Sequence, residues 1–319
     1  MKNKILSILK NADNYVSGQK LSSELNVSRS AIWKHIKKLK SEGYNIVSVT
    51  NRGYRLLDDV DILNANEIAD GLNTSFIGQN IVFYDTVGST NNEAKRNFDS
   101  ADGTVFAADF QTAGKGRLGR AWQAQKGTAI AMSILLNPEI SPADVSKITL
   151  VAGLSVCRAL SDFGAKIKWP NDIVTDGKKI CGILTEMSAE INMVNYVVLG
   201  IGINVNDTSF PDELKDKATS LYLTSGKKHS RAKIIRKILE EFEILYGEFL
   251  ENGLLNIIDE YKKNCVNIGK VSQAVYKDKT IIGTAVDITP DGELVLKTDT
   301  ETINISTGEV SVRGIYGYV

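Results

Sequence analysis

Gly114-Lys115-Gly116-Arg117-Leu118-Gly119-Arg120 satisfies the spacing G-x-G-x-x-G, the fingerprint of a dinucleotide-binding fold. That fold needs the motif to open a helix whose N-terminus holds the pyrophosphate. Here only Ala121-Trp122-Gln123-Ala124-Gln125-Lys126-Gly127 separates the motif from a strand pattern beginning at Thr128, so the helix has no room. The motif also lies beyond residue 110, and no Gly-Lys-Ser/Thr follows the four-residue gap of a Walker loop. What remains is a glycine-rich loop that offers backbone N–H groups and three cations, Lys115, Arg117 and Arg120, within seven positions. Such a loop suits a triphosphate or a phosphorylated intermediate better than it suits a plain surface turn.

The pattern on either side predicts strands over 81–84, 104–110, 128–136, 166–169, 179–187 and 194–205, and helices over 89–98, 142–163 and 230–251, the last capped by Ser230. Strands interrupted by few helices imply a sheet of α/β or α+β type rather than a regular alternation. Lys168-Trp169-Pro170-Asn171-Asp172 ends a strand in a stiff polar corner, and Asp176-Gly177 signals a hairpin. On the returning strand, alternation places Lys179 on the face of Cys181 and Ile183. An inward lysine wants an anion, and Asp172, Glu186 or a ligand carboxylate or phosphate would serve. Gly200-Ile201-Gly202-Ile203-Asn204 is a strand whose small residues permit close approach of a ligand, although glycine packing alone would explain them.

The 319 residues suggest two or three domains, and 43% hydrophobic with 24% charged residues is the balance of a globular protein. No apolar run reaches membrane-spanning length, and the N-terminal apolar stretch is broken at Ser7 and Lys10. Cys157, Cys181 and Cys265 are odd in number and far apart, which suits neither a disulfide framework nor a zinc motif. A reduced, cytoplasmic protein without structural metal is expected.

Equal totals of 38 basic and 38 acidic residues conceal an asymmetry. Residues 1–57 hold eleven Lys and Arg against Asp13, Glu24 and Glu42, a net +8 that leaves −8 on the remainder. This is the footprint of a polyanion-binding module, with a solvated basic face as the bland competitor. Pattern favours the first. Ile5, Ile8 and Leu9 mark one helix, Leu21 and Leu25 a second, and Ile32, Ile36 and Leu39 a third that begins after Ser28. The third carries a basic, polar outer face, as the recognition helix of a helix-turn-helix does. Asn45–Leu56 then forms a hairpin with Asn51-Arg52-Gly53 at its tip, a wing. Arg29, Ser30 and Lys34 are expected near base edges, and Lys37, Lys38 and Arg52 on phosphates. A lone Trp or His on such a helix packs on a neighbour more often than it reads DNA, so Trp33 and His35 stand outside that set. About five phosphate contacts give a slope of log K on log salt of about −4 to −5, too weak for regulation alone, so specificity calls for a dimer on two half-sites. Residues 58–64 turn acidic, as a linker would.

Taken in order, the winged helix-turn-helix, Ser89-Thr90-Asn91, Gln111, the Gly114–Arg120 loop, Lys168–Asp172, Lys179-Ile180-Cys181-Gly182 and Gly200–Asn204 resemble the bifunctional biotin protein ligases that also repress the biotin operon. The resemblance covers essentially the whole chain. It implies an α+β multidomain protein: a winged helix-turn-helix at 1–60, a class II synthetase-like ligase domain at 65–265 with helices on one side of a mixed sheet, and an SH3-like barrel at 267–319. The turn at Asp291-Gly292 and the alternation through Glu293–Lys297 agree with the last. It further implies that biotin and ATP, with Mg²⁺, form biotinyl-5′-AMP. A lysine of a biotin carboxyl carrier domain then takes the biotin, and the adenylate favours a homodimer that binds operator DNA. Carried over by position, Ser89, Thr90, Asn91 and Gln111 would hold biotin. Gly114, Lys115, Gly116 and Arg117 would close over the acyl phosphate, and Lys179 would hold carboxylate and phosphate oxygens. Trp122 would help enclose adenine, Asn204 would line the pocket, and Asp172 would orient groups or assist at the metal; no residue is assigned as a resident metal ligand. Lys115 and Leu118 stand where many members have Arg, which puts Arg117 first among the loop side chains. A biotin sensor without catalysis, a lipoate ligase and a nicotinamide oxidoreductase are the rivals.

Overall fold

The computed structural model describes residues 1–57, 61–275, 279–307 and the backbone of 311–314. Three acidic-linker residues, 58–60, therefore lie outside it. The chain divides into two compact units, Met1–Ile62 and Leu63–Val319.

In the first unit α1 (Lys2–Lys10), α2 (Gly18–Leu25) and α3 (Arg29–Ser41) precede a hairpin of β1 (Ile46–Val49) and β2 (Gly53–Leu56). Ser17 and Ser28 cap α2 and α3 by accepting from Lys20 N and Ala31 N, and Asn26 closes α2 in the left-handed conformation. Ile5, Leu9, Leu21, Ile32, Ile36, Leu39 and Ile46 form a separate core. Val16 pairs with Tyr54 through two backbone hydrogen bonds, an isolated bridge that anchors the wing to the segment before α2.

The second unit contains α4 (Ala65–Ala69), β3 (Ile81–Tyr84), α5 (Thr90–Arg96), β4 (Val105–Ala108), β5 (Ala129–Leu136), α6 (Val145–Ala159), β6 (Lys166–Lys168), β7 (Asp172–Thr175), β8 (Lys178–Ala189), β9 (Val194–Asn204), α7 (Leu221–Ser225), α8 (Arg231–Asn252) and α9 (Ile258–Asn264). Its seven strands run β3-β4-β5-β9-β8-β7-β6, with β3–β4 parallel and the other pairs antiparallel. One face buries Ile130, Ile134, Cys181, Ile183, Leu199, Ile201 and Ile203 under α6 and α8. Helices were expected on one side only; α5 instead covers the other face, packing Ala94 on Phe106, Leu135 and Val198. β5 and most of β9 are buried on both faces, as continuous rather than alternating runs allow, so each face accepts a helix.

β10 (Val271–Val275), β11 (Thr280–Ile288), β12 (Leu294–Lys297), β13 (Thr302–Ile305) and β14 (Ser311–Gly314) form an antiparallel sheet in the order β13-β12-β11-β10-β14. Its buried residues, Ala274, Ala285, Leu294 and Leu296 among them, join the same hydrophobic cluster as the larger sheet. The Asp291-Gly292 turn is the joint. Trp169 Nε1 donates to Gly292 O at 3.0 Å, and Lys147 pairs with Asp291 at 2.8 Å. Trp169 is therefore a core residue, 1% exposed.

Candidate active site

The site lies on the sheet face that α5 leaves open, and absent side chains make its floor. Gly182 pairs with Gly202 and Leu184 with Gly200 across β8 and β9, so three glycines adjoin on one surface. A Cβ at Gly202 would meet the Trp122 ring at 2.6 Å, and one at Gly200 would meet Asn91 Oδ1 at 2.2 Å. No side chain fits at either point without moving its neighbour.

The first turn of α5 supplies one wall. Ser89, Thr90 and Asn91 are buried, and Gln111 Oε1 accepts from Thr90 N at 2.7 Å. The Ser133 hydroxyl sits 2.8 Å from Thr90 Oγ1 and 2.6 Å from Asn91 Oδ1. Asn91 Nδ2 donates to Glu186 Oε2 at 2.7 Å, and Lys95 pairs with Glu186 Oε1 at 2.5 Å. Burial pushes the Glu186 carboxyl up, yet the hydrogen bonds from Lys95 and Asn91 outweigh it and hold it below the usual range. The network fixes Asn91 from both ends.

The glycine loop forms the second wall as a closed finger. Trp122 N donates to Gly114 O at 2.9 Å and Gly116 N to Arg120 O at 2.8 Å, with Leu118 left-handed at the tip. The Gly116 N–H is thus engaged within the finger, where a free backbone cradle was expected. Gly114 sits at the neck rather than on the chamber wall. Lys115 Nζ reaches Asn92 Oδ1 at 2.8 Å. Arg117 donates to Asn171 Oδ1 at 2.8 Å and to Thr307 O at 2.7 Å, which ties the finger to the C-terminal sheet. Burial lowers the pKa of the Arg117 guanidinium and Asp172 raises it in part, but an arginine stays charged throughout.

Lys179 corrects the sequence reading. Val174 pairs with Lys179 while Ile173 pairs with Cys181, so Ile180 is the extra residue of a β-bulge. Cys181 and Ile183 go into the core, and Lys179 turns to the glycine face. There Lys179 Nζ lies 3.0 Å from where a Gly182 Cβ would be and 5.7 Å from the Trp122 ring centroid. Its ion-pair partner is Asp172 at 2.5 Å, whereas Glu186 belongs to Lys95.

Ser89, Thr90, Asn91, Gln111, Lys115, Gly116, Arg117, Trp122 and Lys179 all line one chamber. Asp172 stands behind Lys179 and outside the lining. Asn204 is also outside it, buried, with Nδ2 donating to Thr219 O at 3.1 Å. Ser133 is the residue that spacing did not single out; Asn171 belongs to the polar corner already noted, and Glu186, offered as a partner of Lys179, instead braces Asn91. Trp122 Nε1 is buried and has no hydrogen-bond partner among the described residues.

The six expected DNA contacts, Arg29, Ser30, Lys34, Lys37, Lys38 and Arg52, are all exposed in the first unit. Arg52 stacks on Tyr15 at 4.8 Å, which holds the tip of the wing.

Comparison with known proteins matches a bifunctional ligase/repressor BirA from Bacillus spizizenii at 42% identity over 291 residues, 89% of this chain and 90% of the relative. This chain belongs to the biotin protein ligase family. Its counterpart from Escherichia coli, also a bifunctional ligase/repressor, is 28% identical over 97% of this chain and 96% of its own. Family profiles match an HTH domain at 2–55, the biotin/lipoate A/B protein ligase family at 84–204 and a biotin protein ligase C-terminal domain at 273–313. Among solved structures, a biotin protein ligase from Aquifex aeolicus in complex with biotin and ATP superposes with a TM-score of 0.67 at 32% identity, covering 74% of this chain and 99% of that one.

Proposed function

We propose that this biotin ligase joins biotin to AMP, passes it to a lysine of a biotin carboxyl carrier domain, and represses transcription as an adenylate-bound dimer on operator DNA. The observation that carries the reading is the convergence of Arg117, Lys179 and the unpartnered Trp122 Nε1 on one glycine-floored chamber. In the first step a biotin carboxylate oxygen bonds to the α-phosphorus of ATP as the bond to the β-phosphate oxygen breaks. Two anions approach each other, and fixed cations oppose that repulsion without having to reorganise. In the second step the acceptor amine attacks the acyl carbon and AMP leaves.

Thr90, Asn91 and Gln111, with Ser89, present donors and acceptors to the polar head of biotin, and Gly200 and Gly202 let its rings lie against the strand. A second cavity of about 200 Å³ shares Arg117, Asn171 and Ile183 with the chamber and continues to Val145, Thr185 and Met187. Arg117 is its one cation among the described residues, so it suits an aliphatic lysine stem better than a polyphosphate. Among the described residues no cluster of three or more His, Cys, Asp or Glu could hold a metal ion. Magnesium would be held by the phosphates of the nucleotide. Asp172 acts by holding Lys179. No helix among the described residues is long and apolar enough to cross a membrane. Cys157, Cys181 and Cys265 are free and buried, in keeping with a reducing cytoplasm.

Incubating the purified chain with ATP, biotin and a carrier domain should add one biotin to the carrier lysine by mass spectrometry, and lipoate should not replace biotin. No ATP-dependent mass gain leaves a sensor; transfer of lipoate alone leaves a lipoate ligase. Gly200→Ala sets a methyl 2.2 Å from Asn91 Oδ1, which Glu186 and Ser133 hold in place. If the about 1–3 kcal/mol of overpacking is relieved by displacing Asn91 from the biotin wall, biotin affinity falls about 5- to 150-fold, measurable by calorimetry. Unchanged affinity would remove Asn91 from the biotin wall.

A further inference from the structure

Trp33, left out of the DNA-contacting set by its sequence context, is 55% exposed on α3. The buried stripe of the helix is Ile32, Ile36 and Leu39, and Trp33 is not part of it. Its neighbours at i−4 and i+4 are Arg29 and Lys37, so the indole is the centre of an exposed row with a cation one turn to each side. Every other exposed side chain of α3 is basic or a serine, and the helix contains no acidic residue. Lys37 Nζ lies 5.4 Å from the Trp33 ring centroid, close enough for a cation–π contact that steadies both groups.

We infer that Trp33 reads DNA by packing its ring on the 5-methyl group of a thymine in the major groove. This rests on the operator-binding role proposed above and assigns that role a base-reading residue. The first turns of a recognition helix face base edges, and Trp33 is the fifth residue of α3. Thymine methyls are the apolar feature of the major-groove edge, and an uncharged ring at the centre of a cationic face has no phosphate to neutralise. Lys37 and Arg29 extend past it to the backbone. The chemistry divides cleanly: cations set affinity and its salt dependence, and the indole sets discrimination.

The test uses the full chain with biotin and ATP. The wild type first selects a duplex from a random-sequence pool, and binding is then measured on that duplex, on a scrambled one and on a copy with thymines replaced by uracil. Trp33→Ala should lose about tenfold or more on the selected duplex, keep its affinity for the scrambled one, and keep its salt slope. Trp33→Phe should recover part of the loss. Uracil should weaken the wild type and leave Trp33→Ala unchanged. Lys37→Gln should weaken both duplexes and flatten the salt slope by about one. Trp33→Ala binding the selected duplex within about twofold of wild type, or losing equally on both duplexes, overturns the inference. A wild type that enriches no sequence overturns the repressor reading itself, and this inference falls with it.

Discussion

Replacing Lys179 with methionine is expected to slow adenylate formation by about 10²–10³-fold, the usual cost of removing one fixed donor from a developing anion. Lys179 reaches the glycine face only because of the bulge at Ile180, and Asp172, 2.5 Å away, fixes the ammonium there. The substitution therefore has two consequences, and they separate. Asp172 is left without this partner at 14% side-chain exposure. A fully buried pair broken in this way costs about 3–5 kcal/mol, and because Lys179 is 25% exposed the loss here should be smaller. The double variant Lys179→Met with Asp172→Asn removes the carboxylate charge as well, at the expense of its 3.9 Å contact with Lys168. Its melting temperature should recover part of the loss, because Lys168 gives up a partner too, while its rate should stay as low as that of the single variant. Rapid-quench measurement of adenylate, set beside thermal melts, reads both. A single variant that forms adenylate within about threefold of wild type ends the catalytic assignment of Lys179.

The bulge also marks where sequence reading stops. Alternation along β8 assumes one residue per step, and an inserted residue reverses every assignment N-terminal to it. So Cys181 and Ile183 were legible as a face and Lys179 was assigned to the wrong one. The long strands and α6 and α8 were legible because their apolar periods are long; α4, α7 and α9, of five to seven residues, were not. Ser133 lies inside the run Ala129–Leu136, where a lone serine gives no periodic signal, and its partners Thr90 and Asn91 are more than forty positions away. Thr307 enters through a backbone carbonyl, a contact to which side-chain identity is blind. The chamber residues that were legible sit in short glycine or polar motifs, where chemistry restricts residue type more tightly than packing does.

Deleting residues 1–62 is expected to abolish sequence-specific DNA binding and leave biotin transfer within about twofold of the full chain. The cut falls between two cores: Ile62 packs with the helix-turn-helix cluster, whereas Leu63 belongs to the cluster beneath α6 and α8. Every residue lining the chamber lies between Ser89 and Gly202, so the proposed ligand contacts there all stay when the segment is deleted. Electrostatics makes the loss of DNA binding severe rather than partial. Residues 1–62 hold eleven basic and six acidic side chains in a neutral chain, so the remainder carries a net −5 and repels a polyanion where the full chain attracted one. Cooperative melting of the truncated chain would establish that its core is self-sufficient, and gel-shift and carrier-biotinylation assays read the two activities. Retained binding to the selected duplex would move the DNA interface off α3 and the wing. Loss of transfer from a chain that still melts cooperatively would instead mean that the first unit contributes to catalysis, and the two cores could no longer be treated as functionally separate.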